Sequence, residues 1–175
     1  AGRIEMIVDG GPTRIRQSST VVGFENGAPV VLREGMITRE MVKRATSTTI
    51  LFVCGGNSCR SPMAESICRE MLSQKYDISE DMLSEYGYEI FSAGISALDG
   101  GRVSPQAVKA LRNMGYDAPW GSSARVTPEA INASDYIFTM TGDQKTNVLQ
   151  LAPGTRSAVE TLDPEGTGIA DPIGG

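Results

Sequence analysis

The chain has 175 residues, 40% hydrophobic and 21% charged, which is enough for one full core and ordinary for a globular protein. A formal net charge of -5 and the absence of any Lys/Arg run argue against a nucleic-acid or anionic-membrane surface, which needs a concentrated positive field. There is no histidine, which removes Ser-His-Asp and Cys-His catalysis and His-ligated zinc together, so any nucleophile must be activated in another way.

Residues 1 to 45 read as a β-rich segment. Ile4 to Val8, Ser19 to Phe24 and Pro29 to Arg33 are short β-type runs, with Asn26-Gly27 as a hairpin signal between the last two. From Thr48 onward apolar runs alternate with helical patterns, as in βαβ units around a parallel sheet. Strands are expected at Ile50 to Val53, Tyr88 to Phe91, Tyr136 to Met140 and Ala158 to Leu162. Helices are expected at Pro62 to Ser73, Pro105 to Asn113, Pro128 to Ala133 and Asp143 to Leu151.

The first of these helices carries the clearest start signal: Ser61 suits the N-cap, Pro62 the first helical position and Glu65 the first turn. Ala64, Cys68 and Leu72, with Ile67 and Met71 beside them, form a stripe that can face the sheet, so Cys68 reads as core. Ser104-Pro105 and Thr127-Pro128 repeat the start signal. Glycine-rich joints stand at Gly100-Gly101, Gly121 and Gly166 to Gly168, and Trp120 suits either an aromatic contact at a site rim or a loop closure.

The longest purely apolar stretch, Ile50 to Cys54, is far short of the roughly 20 residues of a membrane helix. No basic region followed by an apolar run opens the chain. The three cysteines, Cys54, Cys59 and Cys68, are odd in number and crowded into one segment, unlike a secreted disulfide framework. A cytoplasmic setting is expected, with no metal and no cofactor.

The chemistry concentrates in Cys54-Gly55-Gly56-Asn57-Ser58-Cys59-Arg60-Ser61-Pro62. A buried strand ends at Cys54, two glycines allow a tight turn, and a helix begins within a turn of Arg60. Such a loop aims successive N–H groups, together with the positive end of the helix, at one point and so cradles a phosphate dianion. The sulfur of Cys54 at the floor of that cradle is stabilised as thiolate. Arg60 can hold two equatorial phosphoryl oxygens through its planar fork. Cys54 would attack phosphorus in line, and water would then hydrolyse the phosphocysteine. The expected phosphate-binding residues are Gly55, Gly56, Asn57, Ser58, Cys59, Arg60 and Ser61.

The run from Val53 through Cys54, Asn57, Arg60 and Pro62 to Glu65 closely resembles the active-site loop and first helix of low-molecular-weight protein tyrosine phosphatases. The resemblance continues through Phe91-Ser92-Ala93-Gly94-Ile95, Ala107 to Gly115, Ala133 to Met140 and Asp171-Pro172-Ile173-Gly174-Gly175, covering about residues 48 to 175. It implies an α/β fold, a four-stranded parallel sheet with helices on both faces, and a phosphorylated protein as substrate. It also implies Asp171 as general acid, Asn57 shaping the loop, Ser61 bonded to the thiolate and Asp135 in a structural role. A reversible disulfide between Cys54 and Cys59 is a further implication. Asp163-Pro164 is a rival for the acid, but it follows directly on the last strand and lacks the Gly-Gly found after Asp171.

This family divides between phosphotyrosine and, in some bacterial members, phosphoarginine. Ser58 is small and hydroxylated, Gly55 leaves the rim bare, and no tyrosine follows Pro172, so activity on phosphoarginine as well as phosphotyrosine is expected. A thiol-dependent arsenate reductase is the enzymatic alternative, against which stand Pro62 and the lack of any cysteine after Cys68. An inactive phosphate-binding interaction module is the other.

Asp9-Gly10-Gly11-Pro12, Gln17 to Val22 and Val31 to Ile37 resemble the C-terminal end of a threonylcarbamoyl-AMP synthase domain. The expected organisation is thus a remnant of that domain at 1-45, without synthase activity, and a phosphatase domain at 48-175 short of the family's last helix. The chain reads as a piece of a longer fusion protein.

Overall fold

The computed structural model describes residues 5, 6, 8–12, 14–25, 28–117 and 121–172, position 28 by its backbone alone. The hairpin signal Asn26-Gly27, Trp120, and Ile173-Gly174-Gly175 lie outside the described residues. The chain folds as two compact units, residues 1–46 and 47–175. Among the described residues no helix is long and apolar enough to cross a membrane.

The first unit holds an antiparallel pair, β1 (Val21–Glu25) and β2 (Ala28–Arg33), followed by helix α1 (Arg39–Thr46). Of the strand expected at Ile4 to Val8, the described residues Glu5, Met6 and Val8 are irregular rather than extended in a sheet, and Met6 and Val8 are exposed, without the packing that sustains a strand. Helix α1 was not expected from a segment read as β throughout. Its start was nonetheless written in the sequence, since Thr38 Oγ1 accepts from the Met41 N–H at 3.1 Å as an N-cap.

The second unit is a parallel sheet of β3 (Thr48–Cys54), β4 (Tyr88–Gly94), β5 (Tyr136–Thr139) and β6 (Ala158–Thr161), in the order β4-β3-β5-β6. Between the strands run α2 (Arg60–Tyr76), a single 3-10 turn (Glu80–Met82), α3 (Pro105–Asn113), α4 (Pro128–Asn132) and α5 (Gly142–Leu151). All four strand expectations and all four helix expectations in this unit correspond to observed elements.

Strand β3 is central, and its side chains alternate between two cores as a pleat requires. Leu51 and Val53 join Ile131, Ile137, Val148 and Val159 on one face. Phe52 and Cys54 join Ile90 and Met140 on the other, where Ala64, Cys68 and Leu72 of α2 pack. Full burial of such an aliphatic or aromatic side chain is worth about 1.5–3 kcal/mol, so the two cores pin β3, and with it the position of Cys54. Asp135 fastens the same strand to β5, its Oδ2 accepting from the Thr49 N–H at 2.8 Å and its own N–H donating to the Thr49 carbonyl at 2.9 Å.

The chain passes from β3 to β4 on one side and then returns to β5 on the other. The strand order therefore reverses beside β3, and in open α/β sheets the crevice outside the carboxyl ends at such a reversal is the place where ligands bind. Cys54 ends β3 at that crevice.

Candidate active site

Helix α2 begins at Arg60 with Cys59 at the N-cap position, and Cys59 makes no side-chain cap. Ser61, expected to be that cap, lies inside the first turn, and Glu65, expected there, lies a turn further on and pairs with Arg69 at 3.2 Å. The reason is that the Ser61 hydroxyl is used elsewhere. Fully buried, it donates toward Cys54 Sγ at 3.0 Å, with the Ala93 carbonyl at 3.3 Å as a second acceptor. The Asn57 N–H donates to the same sulfur at 3.2 Å. Two donors thus converge on a sulfur that is itself buried at the end of β3.

The loop from Cys54 to Arg60 is held open from outside. The carbonyls of Cys54 and Gly55 accept from the Ile95 and Ser96 N–H groups at 3.0 and 2.9 Å, and the Ser58 carbonyl accepts from Ser104 N–H at 2.7 Å. The Cys59 carbonyl accepts from Met63 N–H at 3.1 Å, within the first turn of α2. The N–H and C=O of a trans peptide point opposite ways, so these anchors turn the amides of Gly55, Gly56, Cys59 and Arg60 toward the concave side. Amides so directed at a helix N-terminus are suited to receive an anion.

Asn57 is the keystone of this loop. The left-handed conformation at the turn belongs to it, φ 50°, and to neither of the two glycines expected to allow the turn, while its expected part in shaping the loop is seen in its side-chain bonds. Its buried amide donates from Nδ2 to Ser61 Oγ at 3.0 Å and to Ser92 Oγ at 2.8 Å, and its Oδ1 accepts from the Ala124 N–H at 2.8 Å. Because Asn57 donates to the Ser61 oxygen, the hydroxyl hydrogen of Ser61 is left for Cys54 and Ala93. The glycine the loop does require is Gly94, where a Cβ would stand 2.7 Å from both Asn57 N and Gly55 O. Ser92 and Gly94 belong to a motif read in the sequence, but no role was assigned to either.

The guanidinium of Arg60 is engaged by residues far along the chain. It donates to the Ile169 carbonyl at 2.8 Å and to Asp171 Oδ2 at 2.5 Å. The Arg60 side chain is 10% exposed and that of Asp171 51%. Asp163, the other acid considered, faces its own loop: its carboxylate accepts from the Glu165 and Gly168 N–H groups at 3.1 and 2.9 Å and from Thr167 Oγ1 at 2.5 Å. These bonds, the Thr167 hydroxyl foremost, hold its carboxyl below the usual range. Ile169 acts through its backbone, for which no side-chain signal exists.

Cys59 is buried in the loop, and Cys68 is half-buried on α2, where burial pushes its thiol up. Beside Cys68 a groove of about 600 Å³ lies open between α2, Leu162 and Ile169, with Arg60 among the residues that line it. Among the described residues no group of His, Cys, Asp or Glu could hold a metal ion.

The family described as Low molecular weight phosphotyrosine protein phosphatase matches residues 49–174. A probable low molecular weight protein-tyrosine-phosphatase EpsP from Ralstonia nicotianae is 34% identical over 125 residues, 71% of this chain and 77% of that protein. An arsenate reductase 2 from Staphylococcus haemolyticus is 30% identical over 126 residues, 72% of this chain and 79% of that one. The solved YwlE arginine phosphatase from Geobacillus stearothermophilus superposes with a TM-score of 0.58 at 31% identity, covering 73% of this chain and 77% of its own. With the matched residues spanning the sheet, the cysteine loop and Asp171, the chain belongs to the low molecular weight phosphotyrosine protein phosphatase family.

Proposed function

We propose that the chain hydrolyses phosphorylated proteins through a phosphocysteine, with Cys54 as nucleophile, Arg60 and the loop amides of residues 55–61 as the phosphoryl clamp, and Asp171 as general acid. The observation that carries this reading is the pair of hydrogen bonds converging on Cys54 Sγ, from Asn57 N–H and Ser61 Oγ, in a loop whose other end presents Arg60. Sulfur attacks phosphorus as the bond to the leaving atom breaks, phosphorus–oxygen in phosphotyrosine or phosphorus–nitrogen in phosphoarginine, and Asp171 gives its proton to the departing oxygen or nitrogen. Guanidinium and amides hold the equatorial oxygens. Water then displaces the cysteine, giving a proton back to the Asp171 carboxylate and releasing phosphate. Arg60 spends two of its N–H donors on Ile169 and Asp171, and the fork keeps others for phosphoryl oxygens. Hydrolysis of an aryl phosphate by the purified chain, lost in Cys54→Ser while inorganic phosphate still binds, tests it; turnover surviving the substitution would refute it.

Relatives named as tyrosine and as arginine phosphatases stand at similar identity, so identity does not choose between the phosphate ester of phosphotyrosine and the phosphorus–nitrogen bond of phosphoarginine. Ser58 is half-buried at the loop, and a Cβ at Gly55 would meet nothing within 4 Å, which leaves the rim open and supplies a hydroxyl. We read this as room and a polar partner for a guanidinium, and propose activity on phosphoarginine as well as phosphotyrosine. Comparison of kcat/KM for the two peptides, in the natural chain and in Ser58→Ile, tests it. A clear phosphotyrosine preference untouched by Ser58→Ile would overturn it. Reduction of arsenate needs further thiols to carry oxidation away, and the remaining cysteine, Cys68, packs against the core under α2. We further propose, from composition and motif, a cytoplasmic setting and a synthase-domain remnant at residues 1-45 ahead of a phosphatase domain at 48-175.

A further inference from the structure

We propose that Asp163 is a positioning residue for the general acid: its carboxylate closes the loop of residues 163–168 and thereby sets where Ile169 and Asp171 meet Arg60. The inference rests on Asp171 acting as proton donor and concerns what holds it in place.

Asp163 lies two residues beyond β6, and its carboxylate takes three bonds from the loop that follows: Glu165 N–H, Thr167 Oγ1–H and Gly168 N–H. The side chain therefore acts as the hub of a short exposed loop that contains glycines with positive φ at 166 and 168. The last bond falls on Gly168, where the path turns. Gly168 has φ 83°, and a Cβ there would stand 3.3 Å from the Met140 carbonyl, so the chain passes close over the end of β5. The next residue is docked on both sides. The Ile169 N–H donates to the Met140 carbonyl at 2.8 Å, and the Ile169 carbonyl accepts from Arg60 at 2.8 Å. Two residues later Asp171 reaches the same guanidinium.

From Gly168 to Asp171 the chain can span only about 10 Å at full extension, so a shift at the Asp163 clamp is passed on almost directly to the acid. Of the side chains in the loop, Asp163 and Thr167 make the bonds described above. The backbone bond from Gly166 N–H to the Asp163 carbonyl at 3.1 Å would survive substitution of the carboxylate, but it does not restrain Gly168. With its carboxylate committed to loop donors, Asp163 is placed to hold the loop and not to protonate a leaving oxygen.

The test compares phenyl phosphate with p-nitrophenyl phosphate, whose leaving group needs far less protonation. It uses the natural chain, Asp163→Ala, Asp171→Asn and the double variant. Asp171→Asn should lose much more on the phenyl ester. Asp163→Ala should lose about tenfold more on the phenyl ester than on the nitrophenyl ester, the scale expected when a catalytic group is misplaced by a fraction of an ångström. Added to Asp171→Asn, it should change the ratio of the two rates by less than about twofold, since the group it positions is already gone. Equal losses on both esters, or additive effects in the double variant, overturn the positioning role and leave the reading of Asp171 intact. Asp171→Asn without leaving-group dependence overturns that reading and the inference with it. A larger leaving-group effect at Asp163 than at Asp171 makes Asp163 the acid and refutes both. Thr167→Val and Asp163→Asn, which each remove part of the clamp, should shift the ratio in the same direction by less. They keep the test decisive if Asp163→Ala does not fold: an unchanged ratio in both, with the fold intact, overturns the proposal.

Discussion

Gly94→Ala is the substitution by which the loop geometry is most sharply exposed. Gly94 ends β4 beside Cys54, and the added Cβ would stand 2.7 Å from Asn57 N and from Gly55 O and 2.9 Å from the Gly56 carbonyl carbon. All three are backbone atoms, so no flexible side chain can swing aside. Ordinary contact begins at 3.4 Å, so the loop must retreat by about 0.7 Å. Over-packing of this kind costs about 1–3 kcal/mol of stability. The Asn57 N–H that now reaches Cys54 Sγ at 3.2 Å moves with the loop. Displacement on the order of 1 Å at a reacting centre costs up to about a hundredfold, so a loss of ~10- to 100-fold in kcat/KM for p-nitrophenyl phosphate is expected, with weaker phosphate binding. Urea denaturation would give the stability term and steady-state kinetics the rest. If Gly94→Ala keeps activity within about twofold of the natural chain while folding normally, the seating of the loop on β4 is not what organises the site.

Three further outcomes follow from the same geometry. Cys54→Ser should retain phosphate binding through Arg60 and the amides but lose more than about a hundredfold in turnover, as removal of a nucleophile requires; isothermal titration beside a rate assay checks both halves. Asn57→Ala, which removes the buried amide bonded to Ser61, Ser92 and Ala124 and places alanine at φ 50°, should cost about 2–4 kcal/mol of stability and most of the activity. Denaturant titration of that variant measures the first effect directly. Mild peroxide should inactivate reversibly by joining Cys54 to Cys59, with recovery in a dithiol; peptide mapping that finds Cys68 in the bridge would be inconsistent with its place under α2.

The second unit was legible because its signals are local. The apolar run of β3 and the Ser104 and Thr127 caps each state an element without help from the rest of the chain, and both caps accept the N–H bonds their residue types suggest. Cys54 and Arg60 were legible for the same reason, lying on one loop. What sequence misassigned is tertiary. Ser61 looked like an N-cap because serine before proline usually is one, yet its hydroxyl is claimed by Cys54, seven residues back; that bond was expected from the family resemblance alone and not from the local pattern. Gly55 and Gly56 looked like the turn formers, while the left-handed residue is Asn57, held there by partners 35 and 67 residues away. The grip of Ile169 on Arg60 comes from a backbone carbonyl 109 residues away, which no residue type announces. In the first unit, Ile4 to Val8 had the composition of a strand, but its described residues Glu5, Met6 and Val8 are irregular and Met6 and Val8 are exposed, and composition alone does not make a ladder.

The central claim is that phosphorus passes through the sulfur of Cys54. Turnover of an aryl phosphate quenched in acid at early times, followed by mass spectrometry of the digested chain, tests this most directly. The account predicts a phosphoryl group on the peptide containing Cys54, more abundant in Asp171→Asn if loss of that group slows hydrolysis of the intermediate more than its formation. A phosphoryl group on any other residue, or steady turnover in Cys54→Ser with no adduct at all, would contradict it.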